Sequence, residues 1–277
     1  MHYHNPSIRS IDRSTRVAIL GLGNIGLSVA RHVEQTKRYI VFGYDISEKA
    51  VIRAEKYGIA SSTTWIPDAD IYVVAVNTWF KNGNPDMSAI EDVCSKIHND
   101  SLVCIESTLS VGTARILSEK YGLKYVVVCP HRWWQGDQKK YGVVQTRVLG
   151  ALNKESFNRG TAFYQSLNIP FRVVSSLEVA ELVKVTENAN RFVEIAFAES
   201  LFMTCKKHDI PFEEIRCECN TLKRDDYRVQ ILEARQGIGG ECLPKDVRYL
   251  LSLMNSSILE GAIEVDDLFK KDRGNHK

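Results

Sequence analysis

Arg16–Gly26 reads RVAILGLGNIG, an apolar run that leads directly into a glycine-rich turn. After the turn, apolar residues recur at Leu27, Ala30 and Val33, which is the spacing of one helical face. The stretch therefore predicts a strand, a G-x-G-x-x-G turn and a helix whose first N–H groups have no partner within the helix. A strand, turn and helix of this kind open a βαβ unit.

Further short apolar runs follow and alternate with amphipathic stretches, as is typical of a parallel sheet covered on both faces. We therefore predict an α/β fold, a Rossmann-like doubly wound parallel sheet, over residues 1–175, with residues 1–14 as a flexible tail. The runs are YIVFGYD (39–45), DIYVVAVN (70–77), SLVCIES (101–107), KYVVVCP (124–130), RVLGAL (147–152) and FRVVSS (171–176).

The sequence pattern changes after Ser176. Residues 177–209 contain neither glycine nor proline, and their apolar positions recur at helical spacing. Pro211 precedes a second, shorter helical pattern, and a third follows from Pro244. We predict that residues 176–277 form an all-helical domain built on one long helix.

The composition excludes several classes of protein. With 44% hydrophobic residues and a net charge of +2, the chain of 277 residues is too apolar and too nearly neutral to be disordered. Its 36 basic and 34 acidic residues give no reason to expect nucleic acid or an anionic membrane as a partner. No apolar run approaches the ~20 residues of a membrane-spanning helix, and residues 1–15 lack the apolar core of a signal peptide.

The cysteines indicate a reducing compartment. They number seven, an odd count, and several lie inside apolar runs, which favours small buried thiols over a disulfide framework. Cys217 and Cys219 form C-x-C without a second cluster, so we predict no metal site. We expect a cytoplasmic protein.

In its βαβ context the glycine motif predicts a dinucleotide site. Gly21 would form the tight turn, Gly23 would let the backbone approach a pyrophosphate, and Gly26 would let the helix pack closely. Asp45 ends the second strand, where a carboxylate would bind a ribose 2′-OH and repel a 2′-phosphate, so NAD is favoured over NADP. The alternative is a glycine turn with no ligand. The predicted cofactor-binding residues are Gly21, Gly23, Asn24, Ile25, Gly26, Asp45, Val76 and Thr108.

Two other segments carry reactive side chains. In GIGGECLPKD (237–246), Cys242 stands where a helix begins, which favours its thiolate and suits a nucleophile; the alternative is a small buried cysteine. Asp246 follows four residues later and can share one helical face with it. On the long helix, Lys184 and Asn188 are also four residues apart and project from one face, unless Lys184 simply faces solvent.

GLGNIG, AVNT, ESTLSVGT, AELVKVTENANRFVEIAFAESL and GIGGECLPKD together resemble the nucleotide-sugar 6-dehydrogenases, best known from the UDP-glucose and GDP-mannose dehydrogenases. The resemblance runs from about Arg16 to about Leu253, with the motifs in the family's order. It implies an NAD-dependent enzyme that oxidises a primary alcohol of a sugar to a carboxylate with two NAD molecules. A cysteine captures the aldehyde as a thiohemiacetal, which is oxidised to a thioester and hydrolysed.

The resemblance also implies roles for individual residues. Cys242 is similar to the family's nucleophile, and Lys184 is similar to the lysine that stabilises the oxyanion. Asn188 corresponds to a helical neighbour that contacts substrate. Asp246 resembles the aspartate that moves protons with a water held by a threonine, and Thr108 resembles that threonine.

Two departures from the family are visible. The family's P-E-x-x-x-E-G is replaced by PHRWWQG (130–136), in which His131 and Gln135 stand for the glutamates. His131 is a candidate for the first glutamate's proton transfer, for binding an anionic substrate group together with Arg132, or for no role. Trp133 and Trp134 are candidates for a lid, an aromatic platform or simple packing. The family's C-terminal domain, which completes the nucleotide-sugar pocket, is not expected in this chain.

The sequence also allows two other functions. The β-hydroxyacid and 6-phosphogluconate dehydrogenases, which perform two-electron oxidations, also join a Rossmann domain to a long helix with lysine and asparagine four residues apart, but they lack the cysteine motif. A non-catalytic NAD-binding subunit is a third possibility.

The substrate is expected to be a small sugar-like or anionic molecule. We also predict a homodimer through the long helix, with apolar positions that include Phe192, Ile195, Ala196, Leu201 and Phe202.

Overall fold

The computed structural model describes residues 15–132, 142–225 and 227–274. The predicted tail (1–14) and the tryptophan pair with Gln135 lie outside these ranges. The chain divides into two compact units. Unit 1 comprises the described residues of Met1–Lys81 and Pro85–Lys184, and unit 2 comprises those of Asn82–Asn84 and Val185–Lys277.

The strands and helices alternate as far as residue 173, and helices follow. The first part contains β1 (Arg16–Leu20), α1 (Asn24–Gln35), β2 (Ile40–Tyr44), α2 (Glu48–Glu55), β3 (Ala60–Ser62), β4 (Ile71–Val74), β5 (Trp79–Lys81), β6 (Asn84–Asp86), α3 (Ser88–Cys94), β7 (Leu102–Ile105), α4 (Thr113–Tyr121), β8 (Tyr125–Val128), β9 (Arg147–Ala151), α5 (Lys154–Ser166) and β10 (Phe171–Val173). The helices that follow are α6 (Leu177–Lys207), α7 (Phe212–Cys219), α8 (Cys242–Leu251) and α9 (Ser257–Gly274).

Unit 1 is built on one sheet with the strand order β3-β2-β1-β4-β7-β8-β9-β10. β1 lies at its centre and pairs in parallel with β2 and β4, so that Ala18 is opposite both Phe42 and Tyr72. The pairs β2–β3, β4–β7, β7–β8 and β9–β10 are parallel as well. The strand order changes direction at β1, as in doubly wound folds, which confirms the predicted fold class.

Both faces of the sheet are buried. Val17 and Ile19 of β1 pack into a core with α1 and α5 on one face. Ala18 and Leu20 point the other way, into a second core with residues of α3 and α4. Successive strand residues alternate between the faces, so a strand buried on both sides must be apolar throughout, as RVAIL is after its first residue.

Two features of the strands differ from the prediction. β9 runs antiparallel to β8, with Val128 opposite Gly150. β5 and β6 form a small separate ribbon, which the sequence analysis did not predict. Between these two strands, Asn82 (φ +51°) and Gly83 (φ +77°) adopt the left-handed conformation that a tight two-residue hairpin turn requires.

The long helix is confirmed. α6 spans Leu177–Lys207, and α7 and α8 lie where shorter helical patterns were predicted. In unit 2, Phe192 and Ala196 of α6 are buried together with Val247 and Leu259. These two side chains, which are among the apolar positions named for the predicted dimer helix, belong to the core of unit 2. None of the helices in the described ranges combines the length and the apolar character of a membrane-spanning segment.

Candidate active site

The three glycines of the turn after β1 differ in what surrounds them. Gly21 has φ +93°, and a Cβ there would lie 2.6 Å from the carbonyl oxygen of Ala75. A Cβ on Gly26 would lie 1.7 Å from the carbonyl oxygen of Gly21. Around Gly23, by contrast, a Cβ would meet no described atom within 4 Å. Packing therefore requires glycine at positions 21 and 26, whereas Gly23 borders open space at the start of α1.

The N-terminus of α1, which borders this open space, suits the phosphates of a dinucleotide. Helix α1 begins at Asn24, directly after Gly23, and the first N–H groups of an α-helix have no acceptor within the helix. These groups and the helix dipole favour an anion at the N-terminus of α1. Asn24, Ile25 and Gly26, which were predicted to bind the cofactor, all lie in this first turn.

Asp45 follows β2 and is tied to the same loop. One of its carboxylate oxygens accepts a hydrogen bond from the Leu22 N–H at 2.7 Å, and the other accepts one from the Ser47 N–H at 2.8 Å. Each carboxylate oxygen has a further lone pair, so Asp45 can still accept a hydrogen bond from a ribose hydroxyl. Arg53, which lies outside every sequence motif noted above, donates to the Leu22 carbonyl at 2.8 Å and places a positive charge at the loop.

Two other strand ends are joined at the same edge of the sheet. The Ser107 hydroxyl donates to the Val76 carbonyl at 2.7 Å, and the Thr78 hydroxyl donates to the Thr108 carbonyl at 2.7 Å. The structure thus brings together the segments of Val76 and Thr108, which follow β4 and β7. Ligands of open α/β sheets bind outside the carboxyl ends of such strands.

A buried ionic cluster surrounds His131. His131 lies just after β8, and its Nε2 contacts a carboxylate oxygen of Glu106, the residue that follows β7. Arg147 Nη1 lies 2.9 Å from Glu106 Oε1, and the Tyr164 hydroxyl donates to the same oxygen at 2.9 Å. The exposed fractions are 4% for His131, 3% for Glu106 and 0% for Arg147. These charges are therefore out of contact with bulk water.

The cluster has a defined charge state. Burial alone would raise the pKa of the Glu106 carboxyl, but Arg147 and His131 outweigh it and lower this pKa to about 2. Burial and the positive charge of Arg147 lower the pKa of His131, although Glu106 opposes them, and Lys184 also lowers it. Glu106 is consequently ionised and His131 neutral at neutral pH.

Helix α6 supplies a second buried carboxyl group to unit 1. Glu181 accepts hydrogen bonds from the backbone N–H groups of Gly112 at 2.6 Å and Ala114 at 2.8 Å, where α4 begins. Burial raises the pKa of Glu181 to about 7, against the opposing effect of these two N–H groups. Glu181 thereby fixes the first turns of α6, including the half-buried Lys184, to the loop that continues from Thr108.

Unit 2 contains the predicted nucleophile. Cys242 is the first residue of α8, and its side chain is exposed. Asp246 is fully buried one turn later; it accepts a hydrogen bond from Asn188 Nδ2 at 2.5 Å and forms an ion pair with Lys245. The structure thus brings together Asn188 and Asp246, two of the predicted site residues. Lys245 was not predicted as a site residue, although it stands beside Asp246 in the PKD motif.

The loop before Cys242 is held by α9. The Ile238 N–H donates to Asp266 at 2.8 Å, and Lys270 donates to the Ile238 carbonyl at 3.0 Å. Gly237 has φ +94°, and a Cβ there would lie 2.6 Å from the side chain of Lys270. The glycines of GIGGECLPKD therefore allow a backbone conformation that α9 fixes.

The other cysteines are not placed as nucleophiles. Cys94, Cys104, Cys129 and Cys205 are buried as expected, and burial raises the pKa of Cys94 and of Cys129 to about 12. Cys217 and Cys219, expected to be buried, are exposed, because Phe212 is the buried residue of their helix α7. No cluster of three or more metal-ligating side chains occurs within the described ranges.

The predicted site residues thus fall into two groups. Thr108, His131 and Lys184 belong to unit 1, together with the predicted cofactor-binding residues. Cys242, Asn188 and Asp246 belong to unit 2.

Comparison with known proteins identifies the family. Residues 53–168 match the NAD-binding domain of the UDP-glucose/GDP-mannose dehydrogenase family, and residues 178–267 match its central domain. The first of these family models is described as NAD binding, which agrees with the predicted cofactor. The chain is 29% identical over 272 residues to a UDP-N-acetyl-D-mannosamine dehydrogenase of Pyrococcus horikoshii, an alignment that covers 86% of this chain and 64% of the relative. The chain thus spans a little under two thirds of that relative.

Solved structures agree with these matches. A UDP-D-ManNAc dehydrogenase from Pyrococcus horikoshii superposes with a TM-score of 0.80 at 26% identity, over 92% of this chain and 69% of that one. A 3-hydroxyisobutyrate dehydrogenase from Mycobacterium tuberculosis shares the fold with a TM-score of 0.70 at 15% identity, over 95% of both chains. The two domain matches lie in the family's order and cover most of the chain. The chain belongs to the UDP-glucose/GDP-mannose dehydrogenase family.

Proposed function

We propose that this protein is an NAD-dependent dehydrogenase that oxidises an alcohol group of a nucleotide sugar to a carboxylate through a covalent intermediate on Cys242. The observation that carries the proposal is the exposed Cys242 thiol at the first position of α8, with Asp246 buried one turn behind it. A helix N-terminus favours the thiolate, which is the reactive form. Membership of the family supports NAD as the electron acceptor.

The proposed reaction consists of two oxidations and one hydrolysis. The alcohol loses two electrons and two protons to become an aldehyde, and the Cys242 thiolate adds to the aldehyde carbon. The aldehyde oxygen takes up a proton to give a thiohemiacetal. The thiohemiacetal carbon then loses a hydride and its hydroxyl loses a proton, which gives a thioester. Water cleaves the thioester to a carboxylate, the Cys242 thiol and a proton. Each oxidation would consume one NAD as the acceptor of a hydride, so the whole reaction would consume two.

The remaining predicted residues take separate roles in the proposal. The Lys184 ammonium stabilises the negative charge that develops on the substrate oxygen. Asn188 and Asp246 hold one another through their 2.5 Å hydrogen bond, and Asp246 takes part in proton transfer together with Thr108. His131 takes the proton that a water loses as it attacks the thioester.

UDP-N-acetyl-D-mannosamine is the first substrate to test, because the relative from Pyrococcus horikoshii is named for it. With this substrate and NAD, the unmodified protein should form a uronate, the Cys242→Ser variant should form none, and both should bind NAD equally. Cys217→Ser is the matched control, since it removes another exposed thiol of unit 2. Uronate formation at the normal rate by Cys242→Ser would contradict the covalent mechanism.

A two-electron dehydrogenase of the β-hydroxyacid type is the second candidate, because the 3-hydroxyisobutyrate dehydrogenase shares the fold over 95% of both chains. This candidate predicts an aldehyde or ketone product and full activity of Cys242→Ser. A third outcome, NAD binding without turnover of any sugar nucleotide, sugar phosphate or hydroxy acid, would indicate a non-catalytic subunit.

We also propose that the protein has functional domains at residues 1–175 and 176–277 and that it is located in the cytoplasm. We further propose that it forms a homodimer through α6. Phe197 of α6 is 59% exposed, a large apolar side chain on the helix predicted to form the interface. The odd number of cysteines suits a reducing compartment. A Phe197→Glu variant should shift the sedimentation of a dimer toward the monomer; a monomer at working concentration before any substitution would contradict the dimer.

A further inference from the structure

We propose that Glu106 and Arg147 are a positioning pair for His131. The pair holds the His131 imidazole as the neutral tautomer, with the proton on Nε2 and the lone pair on Nδ1. This inference rests on the function proposed above, in which His131 accepts a proton from water. It adds the residues that prepare His131 for this task.

The topology places the three residues at one edge of the sheet. Glu106 directly follows β7, and His131 comes three residues after the end of the neighbouring strand β8. Arg147 begins β9, which runs antiparallel to β8, so the start of β9 lies at the same edge. Residues from three adjacent strands therefore converge where ligands of α/β sheets bind.

The contact with Glu106 determines which ring nitrogen carries the proton. An ionised carboxylate can only accept hydrogen bonds, so the Nε2 that touches Glu106 must be the donor. Nδ1 is then the basic nitrogen. It is buried and has no hydrogen-bond partner among the described residues. A buried polar atom without a partner is costly, and a proton acceptor requires a lone pair that is available.

Arg147 explains how a carboxylate can remain ionised in this position without protonating His131. The charged groups that act on His131 are Glu106, Arg147 and Lys184. Arg147 neutralises Glu106 through their 2.9 Å ion pair, and the Tyr164 hydroxyl occupies the same carboxylate oxygen. Two positive charges and one negative charge around the imidazole favour its neutral form. The carboxylate thus orients the ring, and the cations keep Nδ1 unprotonated.

The sequence motifs did not indicate the Glu106–Arg147 pair, because these residues and His131 are far apart along the chain. Glu106 lies 25 residues from His131, and neither Glu106 nor Arg147 belongs to the PHRWWQG segment. The available signal was the position of a charged residue directly after LVCI and of another directly before VLGA. Such charges at the ends of fully buried strands require partners.

The test measures the tautomer and its titration without substrate. In a ¹⁵N-histidine-labelled protein, long-range ¹H–¹⁵N correlation spectra distinguish protonated from bare ring nitrogens, and His131→Asn identifies the His131 signals. We expect the Nε2–H tautomer in the unmodified protein. Arg147→Met should move the protonation midpoint of His131 to higher pH, and Glu106→Gln should move it to lower pH. His98, which is exposed and paired with Asp68, is an internal control: at a single pH its ring signals should be the same in the unmodified protein and in both variants.

The opposite directions of these shifts separate positioning from mere stability, since a general loss of structure would move both midpoints toward that of an exposed histidine. Should a single variant not fold, Glu106→Gln/Arg147→Met removes both charges and should release the tautomer. Glu106→Asp, which keeps the negative charge, should keep the Nε2–H tautomer and should not show the shift to lower pH that is expected of Glu106→Gln. A proton on Nδ1 in the unmodified protein, or equal shifts in both variants, would overturn the proposal.

The rate of uronate formation is measured separately from the spectra. Glu106→Gln should lower the rate of uronate formation by about a hundredfold or more, the usual contribution of an acid–base group, while NAD binding stays unchanged. If the spectra agree and the unmodified protein turns over no substrate, the proposed function fails and the positioning pair stands. If the unmodified protein is active and Glu106→Gln is equally active, the positioning role fails.

Discussion

Alanine substitutions at Gly23 and Gly26 separate two reasons for glycine in a single motif. At Gly26 an added Cβ would lie 1.7 Å from the Gly21 carbonyl oxygen, and a backbone atom has no rotamer that avoids this clash. Overpacking of this kind costs about 3 kcal/mol, and the better helix propensity of alanine offsets about 1 kcal/mol. We therefore expect Gly26→Ala to lower the free energy of unfolding by about 2 kcal/mol.

Gly23→Ala should leave stability unchanged and weaken NAD binding. No described atom lies within 4 Å of the new Cβ, and the φ of −62° suits alanine. The loss of a good N-cap residue, about 0.5–1 kcal/mol, roughly cancels the gain from a less flexible unfolded chain, about 0.4–1 kcal/mol. In the complex, however, the methyl group would occupy the space proposed for the pyrophosphate.

Thermal unfolding and calorimetric NAD titration measure the two effects. Gly26→Ala should lower Tm by about 4–8 °C, since 1 kcal/mol corresponds to about 2–4 °C in a protein of this size. Gly23→Ala should keep the Tm and raise the Kd for NAD about tenfold to a hundredfold, the value of a lost hydrogen bond to a charged group. An unchanged Kd for Gly23→Ala, or an unchanged Tm for Gly26→Ala, would refute the reasoning.

Three further predictions follow from single contacts. Asp45→Ala should weaken NAD binding about tenfold or more by calorimetry, because it removes the acceptor proposed for the ribose; an unchanged Kd would exclude Asp45 from the site. Gly237→Ala should lower the free energy of unfolding by about 1–2 kcal/mol, because φ is +94° and the Lys270 side chain would lie 2.6 Å from the added Cβ. In the control Gly239→Ala the added Cβ meets nothing within 4 Å, so its Tm should be higher. Equal Tm values for the two variants would show that the loop adapts. Burial and the nearby Asp266 raise the pKa of Glu199 to about 7, so between about pH 5 and 8 the folded state binds a proton that the unfolded state has lost. The free energy of unfolding should therefore fall as the pH rises through this range, and urea titrations should show a fall about 3 kcal/mol smaller for Glu199→Gln. Identical pH profiles for the two proteins would contradict the shift.

Much of the fold can be predicted from the sequence because its signals are local. The RVAIL strand is apolar from its second residue onward because both of its faces are covered, and the following glycines are required by packing within a few residues. Strand direction is not local information: nothing in RVLGA indicates that β9 runs against β8. The hairpin of β5 and β6 was missed because its strands are three residues long, although the Asn82–Gly83 pair is a strong turn signal.

Candidate site residues could be proposed from the sequence where their chemistry lies in short motifs. Cys242, Asp246, Lys184 and Asn188 are such candidates, proposed from spacing and family resemblance. Glu181 could not be proposed in this way, because its partners at the start of α4 are 67 and 69 residues away in the chain. Packing then decides which residues remain available: Phe192 lies in the core of unit 2, and no helical periodicity distinguishes a core position from an interface position on an apolar helix.

The stoichiometry of NADH formation tests the central claim most directly. With a limiting amount of UDP-N-acetyl-D-mannosamine and excess NAD, the absorbance of NADH and the amount of uronate are measured at completion. A four-electron oxidation through Cys242 predicts two NADH for each substrate molecule consumed and one carboxylate product. One NADH per substrate, with an aldehyde or ketone as the product, would contradict it.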